Sequence, residues 1–400
     1  MIAPARAELW PLDPDVVFLN HGSFGACPIE VLRQQALLRA EMEAEPVRFL
    51  SRELDDRLDA ARAALAAFLG ADAGDLAFVS NATSGVNAVL RSLAFAPGDE
   101  LLTTDHAYNA CRNTLDYVSG RAGARVVVAP IAFPVASPSE IVDAVMARAT
   151  PRTRLALLDH ITSPTALILP IERLVAELAG RGVDVVVDGA HAPGMVPLDL
   201  RALGASYYSG NCHKWLCAPK GSAFLWVRRD RQSAVRPLTI SHGATAARTA
   251  RSRFHLEFDW TGTDDPTAWL TVPRAIEYLG SLLPGGWPEL MARNHALALE
   301  ARRLVADVAG TPLPCPDEMV GSLASIVLPD GPTSDIAWRR PDPIQQRLFE
   351  SWGIEVPIMS WPAPPRRLLR ISAQLYNRPE HYATLAEALA KELAGERRPR

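Results

Sequence analysis

Lysine is almost missing from this chain of 400 residues, standing only at Lys214, Lys220 and Lys391. Chemistry that needs a primary amine therefore has three side chains to draw on. Other absences narrow the field further. No uncharged apolar run of about 18 residues occurs, so no membrane span is expected. Residues 1–17 lack the basic start and apolar stretch of a secretory signal. The formal net charge of −4, without a basic stripe, gives no support to nucleic-acid binding. The five cysteines (Cys27, Cys111, Cys212, Cys217, Cys315) are scattered and odd in number, which fits a reducing cytoplasm better than a disulfide framework. No Gly-x-Gly-x-x-Gly follows the first strand of the repeating pattern, which disfavours a nicotinamide site.

What is present is an alternation of short β-branched runs and amphipathic helical stretches. Helical periodicity covers Glu30–Glu45 and Leu54–Leu69, and seven strands are expected at Leu76–Val79, Glu100–Thr103, Arg125–Val128, Leu155–Leu158, Asp184–Val187, Tyr207–Ser209 and Ser222–Val227. Helices between most of them imply a mainly parallel α/β sheet covered on both faces. Ligands collect at the carboxyl ends of such strands, so the residues following Val79, Thr103, Leu158 and Val187 carry the most interest. From about Thr271 the texture becomes that of a smaller α+β unit, with helices over Trp269–Leu283, Trp287–Ala309, Ile344–Trp352 and Glu380–Leu393 and strands at Ala324–Leu328, Ile354–Pro357 and Leu368–Ile371. The proline-rich segments Thr311–Pro316 and Trp361–Pro365 read as loops.

Five features can carry chemistry, and each also has a purely structural reading. His213-Lys214 follows a strand in an apolar segment, where burial favours the neutral amine needed for a Schiff base; the alternative is a lysine paired in a turn. Asp188 ends the strand Val185-Val-Val-Asp188, with His191 three residues on. A protonated pyridine nitrogen would pair such a carboxylate, and His191 would reach a phenolic oxygen; a turn cap and a core histidine are the alternatives. Thr83 and Ser84, at a helix start after a strand, suit a phosphate or an ordinary N-cap. His106 stacks on a heteroaromatic ring or caps a helix. Arg370 suits a substrate carboxylate or the surface. In order along the chain, the set reads as phosphate cup, stacking ring, pyridine partner, amine and carboxylate fork. A rival zinc site at Cys212, His213 and Cys217 lacks a fourth ligand and paired Cys-x-x-Cys spacing, so no metal is expected.

The chain resembles the class V aminotransferase superfamily of fold-type I pyridoxal-5′-phosphate (PLP) enzymes, in its isopenicillin N epimerase-like branch. The likeness rests on Phe18-Leu-Asn-His-Gly-Ser-Phe-Gly25, Pro46-Val-Arg-Phe-Leu50, Asn81-Ala-Thr-Ser-Gly85, Asp105-His-Ala-Tyr108, Asp188-Gly-Ala-His-Ala-Pro193, Asn211-Cys-His-Lys-Trp215, Trp260-Thr-Gly-Thr-Asp-Asp265 and Leu369-Arg-Ile-Ser-Ala-Gln374. It implies an arm (residues 1–28), a large PLP-binding domain with a seven-stranded sheet (29–270) and a small α+β domain (271–400). It implies that Lys214 forms the aldimine, His106 stacks on the ring, Asp188 meets the ring nitrogen and His191 the phenolic oxygen. Thr83, Ser84, Asn211 and His213 would surround the phosphate, with Thr261 and Gly262 reaching the site of the second subunit of a homodimer. Arg370, His21, Arg48 and Tyr108 would face an amino-acid substrate.

The reaction then starts with loss of a Cα proton and continues as epimerisation, β-elimination of a sulfur group or transamination. Epimerisation needs a second acid, for which His21 and Tyr108 are the candidates. A catalytically inert PLP-fold protein is a further alternative, against which Lys214 and Asp188 both speak. The segment Val356–Pro365 holds no cysteine and Cys315 lies far upstream, so a desulfurase with a nucleophilic thiol there is not expected.

Overall fold

The computed structural model describes residues 5–247, 251–331 and 341–396. A short strand β1 (Val17–Phe18) is followed by β2 (Leu76–Val79), β3 (Glu100–Thr104), β4 (Arg125–Ala129), β5 (Thr153–Asp159), β6 (Asp184–Asp188), β7 (Tyr207–Asn211) and β8 (Ala223–Val227). The last seven form one sheet in the order β2-β8-β7-β6-β5-β3-β4. Strands β3 to β7 run parallel, and β8 is antiparallel to β7 and β2. The expected mainly parallel seven-stranded α/β sheet is therefore the one that forms. Its central strands are buried on both faces, as the unbroken apolar runs Leu155–Leu158 and Val185–Val187 require.

Helices flank the sheet for local reasons that can be read in the sequence. In Leu54–Leu69 the side chains of Leu54, Leu58, Ala61, Leu65 and Leu69 recur on one buried face. That helix stops where Gly70, with φ +59°, turns its N–H back to the Ala66 carbonyl. Helix Ala82–Ser92 starts on Asn81, whose side chain accepts the Ser84 N–H.

The C-terminal part builds a three-stranded antiparallel sheet, β11 (Ile358–Ser360), β12 (Arg367–Ser372) and β9 (Leu323–Leu328), while β10 (Ile354–Glu355) pairs in parallel with β1. The single expected strand at 354–357 is thus two, broken at Pro357, which has no N–H to donate. The expected helix Trp269–Leu283 likewise divides into Thr267–Leu270 and Val272–Ser281, with Pro273 in the first turn of the second.

The N-terminal arm is wedged between the two parts. The Ser372 N–H donates to the Leu19 carbonyl, and the Gly22 N–H donates to the Ser372 hydroxyl. Gly25, at φ +72°, lies so close to the loop after β7 that a Cβ there would sit 2.1 Å from the His213 carbonyl oxygen. Among the described residues, no helix is long and apolar enough to cross a membrane.

Candidate active site

The carboxyl ends of β5, β6 and β7 open into a cavity of about 370 Å³, lined among others by Thr83, Tyr108, Asp159, Asp188, His191 and Lys214. Asn211, His213, Ser23 and Ser163 also face it. Lys214 sits in the loop that follows β7. Its Nζ lies 3.2 Å from His191 Nε2, and the Trp215 indole N–H points at His191 Nδ1 from 3.4 Å. An indole can only donate, so His191 Nδ1 is the accepting nitrogen and Nε2 carries the proton. The hydrogen bond then runs from His191 to a neutral Lys214 amine. Burial, with Arg370 nearby, brings the Lys214 ammonium down to about 7 against the opposing pull of Asp188 and Cys111. Burial holds His191 itself far below the ordinary histidine range.

Asp188 ends β6 in a fully enclosed position. One carboxylate oxygen accepts the Ala190 N–H at 3.1 Å, and the other accepts the Cys111 thiol at 3.0 Å. Burial raises its pKa, and these donors together with Lys214 oppose the rise.

Arg370, on β12, is buried. It donates to the Ser163 carbonyl and hydroxyl (2.6 and 3.1 Å) and to the Ser23 hydroxyl (3.0 Å), while its Nε has no partner. No carboxylate pairs with it among the described residues, and burial lowers it to about 10. A buried guanidinium held only by neutral acceptors keeps its charge available to an anion.

The phosphate-cup residues divide. Asn211 spends its side-chain oxygen on the Ala82 N–H at 2.8 Å, which fixes the start of helix Ala82–Ser92, and Thr83 faces the cavity. His213 Nδ1 donates to the Ser222 carbonyl at 2.9 Å, and burial lowers this histidine to about 4. Ser84 turns away. Its hydroxyl meets Asn81 and Ser80, and it lines a neighbouring cavity of about 190 Å³ together with Thr261, Asp264 and Trp269. Gly262, next to Thr261, has φ +136° and open space where a Cβ would be. Neither Thr261 nor Gly262 reaches the Lys214 cavity of its own chain.

Three further expected site residues lie away from the cavity. His106 does not line the cavity. Its Nδ1 accepts from the Thr165 hydroxyl (2.7 Å), its Nε2 donates to the Ile131 carbonyl (3.2 Å), and the Trp361 ring closes over it edge-on at 4.5 Å. Two residues on, Tyr108 takes the cavity wall instead, because the turn after β3 buries one ring and presents the other. His21 is also enclosed. Its Nδ1 accepts from the Tyr376 hydroxyl (2.8 Å) and the Ala26 N–H (3.3 Å), and its Nε2 donates to the Lys214 carbonyl (3.0 Å). With both nitrogens engaged and burial lowering it to about 3, His21 is a neutral ring that props the lysine loop. Arg48 is exposed and faces Glu53 at 3.5 Å.

Asp159, Cys111, Ser23, Ser163 and Trp215 were not among the expected site residues. Asp159 had a positional signal, directly after the strand Leu155–Leu158, and Ser23 and Trp215 stand inside the motifs Phe18–Gly25 and Asn211–Trp215.

The aminotransferase class-V family matches residues 26–338. The chain belongs to that family. An isopenicillin N epimerase of Amycolatopsis lactamdurans is 38% identical over 415 residues, covering 98% of this chain and 100% of the relative. A probable chloroplastic L-cysteine desulfhydrase of Arabidopsis thaliana is 33% identical, covering 94% of this chain and 83% of the relative. Among solved structures, the cystine C–S lyase C-DES in complex with its product cysteine persulfide superposes with a TM-score of 0.77 at 21% identity, over 94% of this chain and 98% of that one. The resemblance to the epimerase-like branch of the class V family is thereby borne out. The protein is a PLP-dependent enzyme of fold type I.

Proposed function

We propose that Lys214 holds the cofactor and that the enzyme removes the Cα proton of an amino acid whose carboxylate is bound by Arg370, the outcome being inversion at Cα or loss of a sulfur substituent at Cβ. The observation that carries this reading is the Lys214 amine 3.2 Å from His191 Nε2 in a cavity that also presents Asp188 and whose wall residues Ser23 and Ser163 hold Arg370. The residues fit PLP. A buried carboxylate suits the ring nitrogen, a helix start with Thr83 suits the phosphate, and His191 Nε2–H suits the phenolic oxygen. When bound, the cofactor supplies an electron sink for negative charge at Cα.

The chain's own residues do the rest. Arg370 orients the substrate through its carboxylate, and the Lys214 amine takes the Cα proton. Tyr108 is the second proton-handling group. Tyr108 lines the cavity, and burial with the nearby Cys111 and Asp188 raises its pKa against the pull of Arg370, which holds the phenol in its neutral, hydrogen-bond-donating form. This favours epimerisation or C–S cleavage over transamination, which needs no second acid of this kind. The epimerase and desulfhydrase relatives support the same pair of outcomes.

Incubation with candidate amino acids in deuterated water tests the assignment. Deuterium at Cα with inversion indicates an epimerase, and pyruvate with ammonia indicates a lyase. Accumulation of aminated cofactor without either would sink both in favour of an aminotransferase.

We further propose a homodimer in which Thr261 and Gly262 complete the partner's phosphate site. The exposed Phe24, Val47 and Ile240 side chains support it. Five free, buried cysteines support a reducing compartment, which we take to be the cytoplasm.

A further inference from the structure

The reaction outlined above uses one carboxylate at the floor of the cavity, yet two stand there. Asp159 and Asp188 are directly paired residues at the ends of the parallel strands β5 and β6, so their side chains lie side by side on one face of the sheet. Both line the cavity and both are almost completely buried, at 4% and 3% exposure. Their surroundings are unequal. Asp188 accepts from Ala190 N–H and from the Cys111 thiol, one donor to each oxygen. Asp159 has the backbone amide of Tyr108 nearby, and its Oδ2 has no partner among the described residues.

We propose that Asp159 and Asp188 work as an acid pair holding one proton, carried on Asp159, which makes Asp159 the positioning residue that leaves Asp188 as the single anion beneath the cofactor ring. The inference rests on the reading of Asp188 as the partner of the ring nitrogen. Two adjacent carboxylates in a dry site cannot both ionise cheaply. The proton goes where the negative charge is least supported, and that is the carboxyl with an orphaned oxygen. Protonation turns Asp159 Oδ2 from an unsatisfied acceptor into a donor beside the Asp188 carboxylate.

The other groups facing the pair agree with this division. Cys111, from the helix Asn109–Ala122, donates to Asp188. Lys214, from the loop after β7, favours the charge on Asp188 whenever its amine is protonated. Tyr108, at the start of the same helix, meets Asp159 through its neutral backbone amide, and Arg370 acts on Tyr108 and Lys214. Burial and the Asp188 charge push the Asp159 carboxyl well above the usual range.

Infrared spectroscopy of the holoenzyme labelled with ¹³C-aspartate reads the proton directly. At pH 7 the wild type should show the carbonyl stretch of a protonated aspartic acid. Absence of that band in the wild type overturns the inference without any variant. Asp159→Asn should abolish the band and keep the PLP dissociation constant within about threefold of wild type, since a neutral group replaces a neutral group. A band that survives in D159N, or a loss of PLP affinity as large as that of Asp188→Asn, overturns it as well.

Stability gives a second reading. A folded pKa raised above the unfolded value of about 3.9 means that wild-type stability from Asp159 is full below that pH and is lost as pH rises toward the folded pKa. The melting temperature of D159N relative to wild type should therefore climb with pH from about 4 upward; a flat difference contradicts the proposal. Asp188→Asn tests the underlying reading separately. If it binds PLP with wild-type affinity and absorbance, Asp188 is not the ring partner, whatever the infrared band shows.

Discussion

Trp215 donates its indole N–H to His191, and the consequence falls on Lys214. Because the tautomer of His191 is set from outside, the lysine is offered a donor and meets it as a free amine. Reconstitution of apoprotein with PLP should therefore be fastest above pH about 7 and slow steadily below it as Lys214 is protonated. In Trp215→Phe the midpoint should move up by less than about one pH unit, the size of one neutral hydrogen bond of about 1 kcal/mol. An attachment rate that does not change between pH 5 and 8 would contradict a neutral-amine Lys214.

Arg370 carries the complementary expectation. Its fork is pre-aimed by Ser23 and Ser163, so Arg370→Lys should lose about 10- to 100-fold in kcat/KM, the 1.5–3 kcal/mol of a charge-assisted hydrogen bond. The loss should fall mainly on KM in steady-state kinetics, and an unchanged KM would remove Arg370 from substrate binding.

Elements matter here chiefly through their ends. Each cavity residue from the large sheet ends or follows a strand or lies at a helix start, because strand ends are where backbone polar groups and functional side chains meet solvent-sized space. The loop after β7 is held from three sides, by the His21 ring on the Lys214 carbonyl, by Lys220 on the Gly25 carbonyl at 2.9 Å, and by the backbone of Gly25 itself. Gly25→Ala should destabilise the protein by about 2–5 kcal/mol, combining a disallowed backbone conformation with overpacking. Urea unfolding would measure it, and a loss under about 1 kcal/mol would show that the arm yields without strain.

At this scale the sequence was informative wherever the period was clear. The seven strands of the large sheet and the helix Leu54–Leu69 were legible from apolar spacing alone. The pairing of β1 with β10 was not, since two residues carry no period, and neither were the two breaks at prolines inside otherwise continuous patterns.

The whole molecule brings together stretches far apart in the chain. Ser23 from the arm, Ser163 from the loop after β5 and Arg370 from β12 meet at one edge of the cavity. The exposed Phe24 lines the same cavity, which argues for a second subunit covering its mouth. Phe24→Asp should therefore shift the protein in sedimentation from twice the 43.4 kDa chain mass to the monomer and weaken PLP retention. A wild type that sediments as a monomer would remove the dimer.

By itself the sequence determined the sheet and the family, and it singled out Asp188, His191 and Lys214 at or just after strand ends, because strand-end position and residue chemistry are local properties. Only the tertiary structure decided which ring faces the cavity. His106 and Tyr108 are two residues apart in one turn, and their orientation depends on Thr165, Ile131 and Trp361 from distant segments. It also decided that His21 supports the lysine loop from beneath, through a hydrogen bond spanning nearly the whole large sheet in sequence. The company of Asp159 and Asp188 was decided there too, since strand register, a non-local pairing, sets two carboxylates side by side.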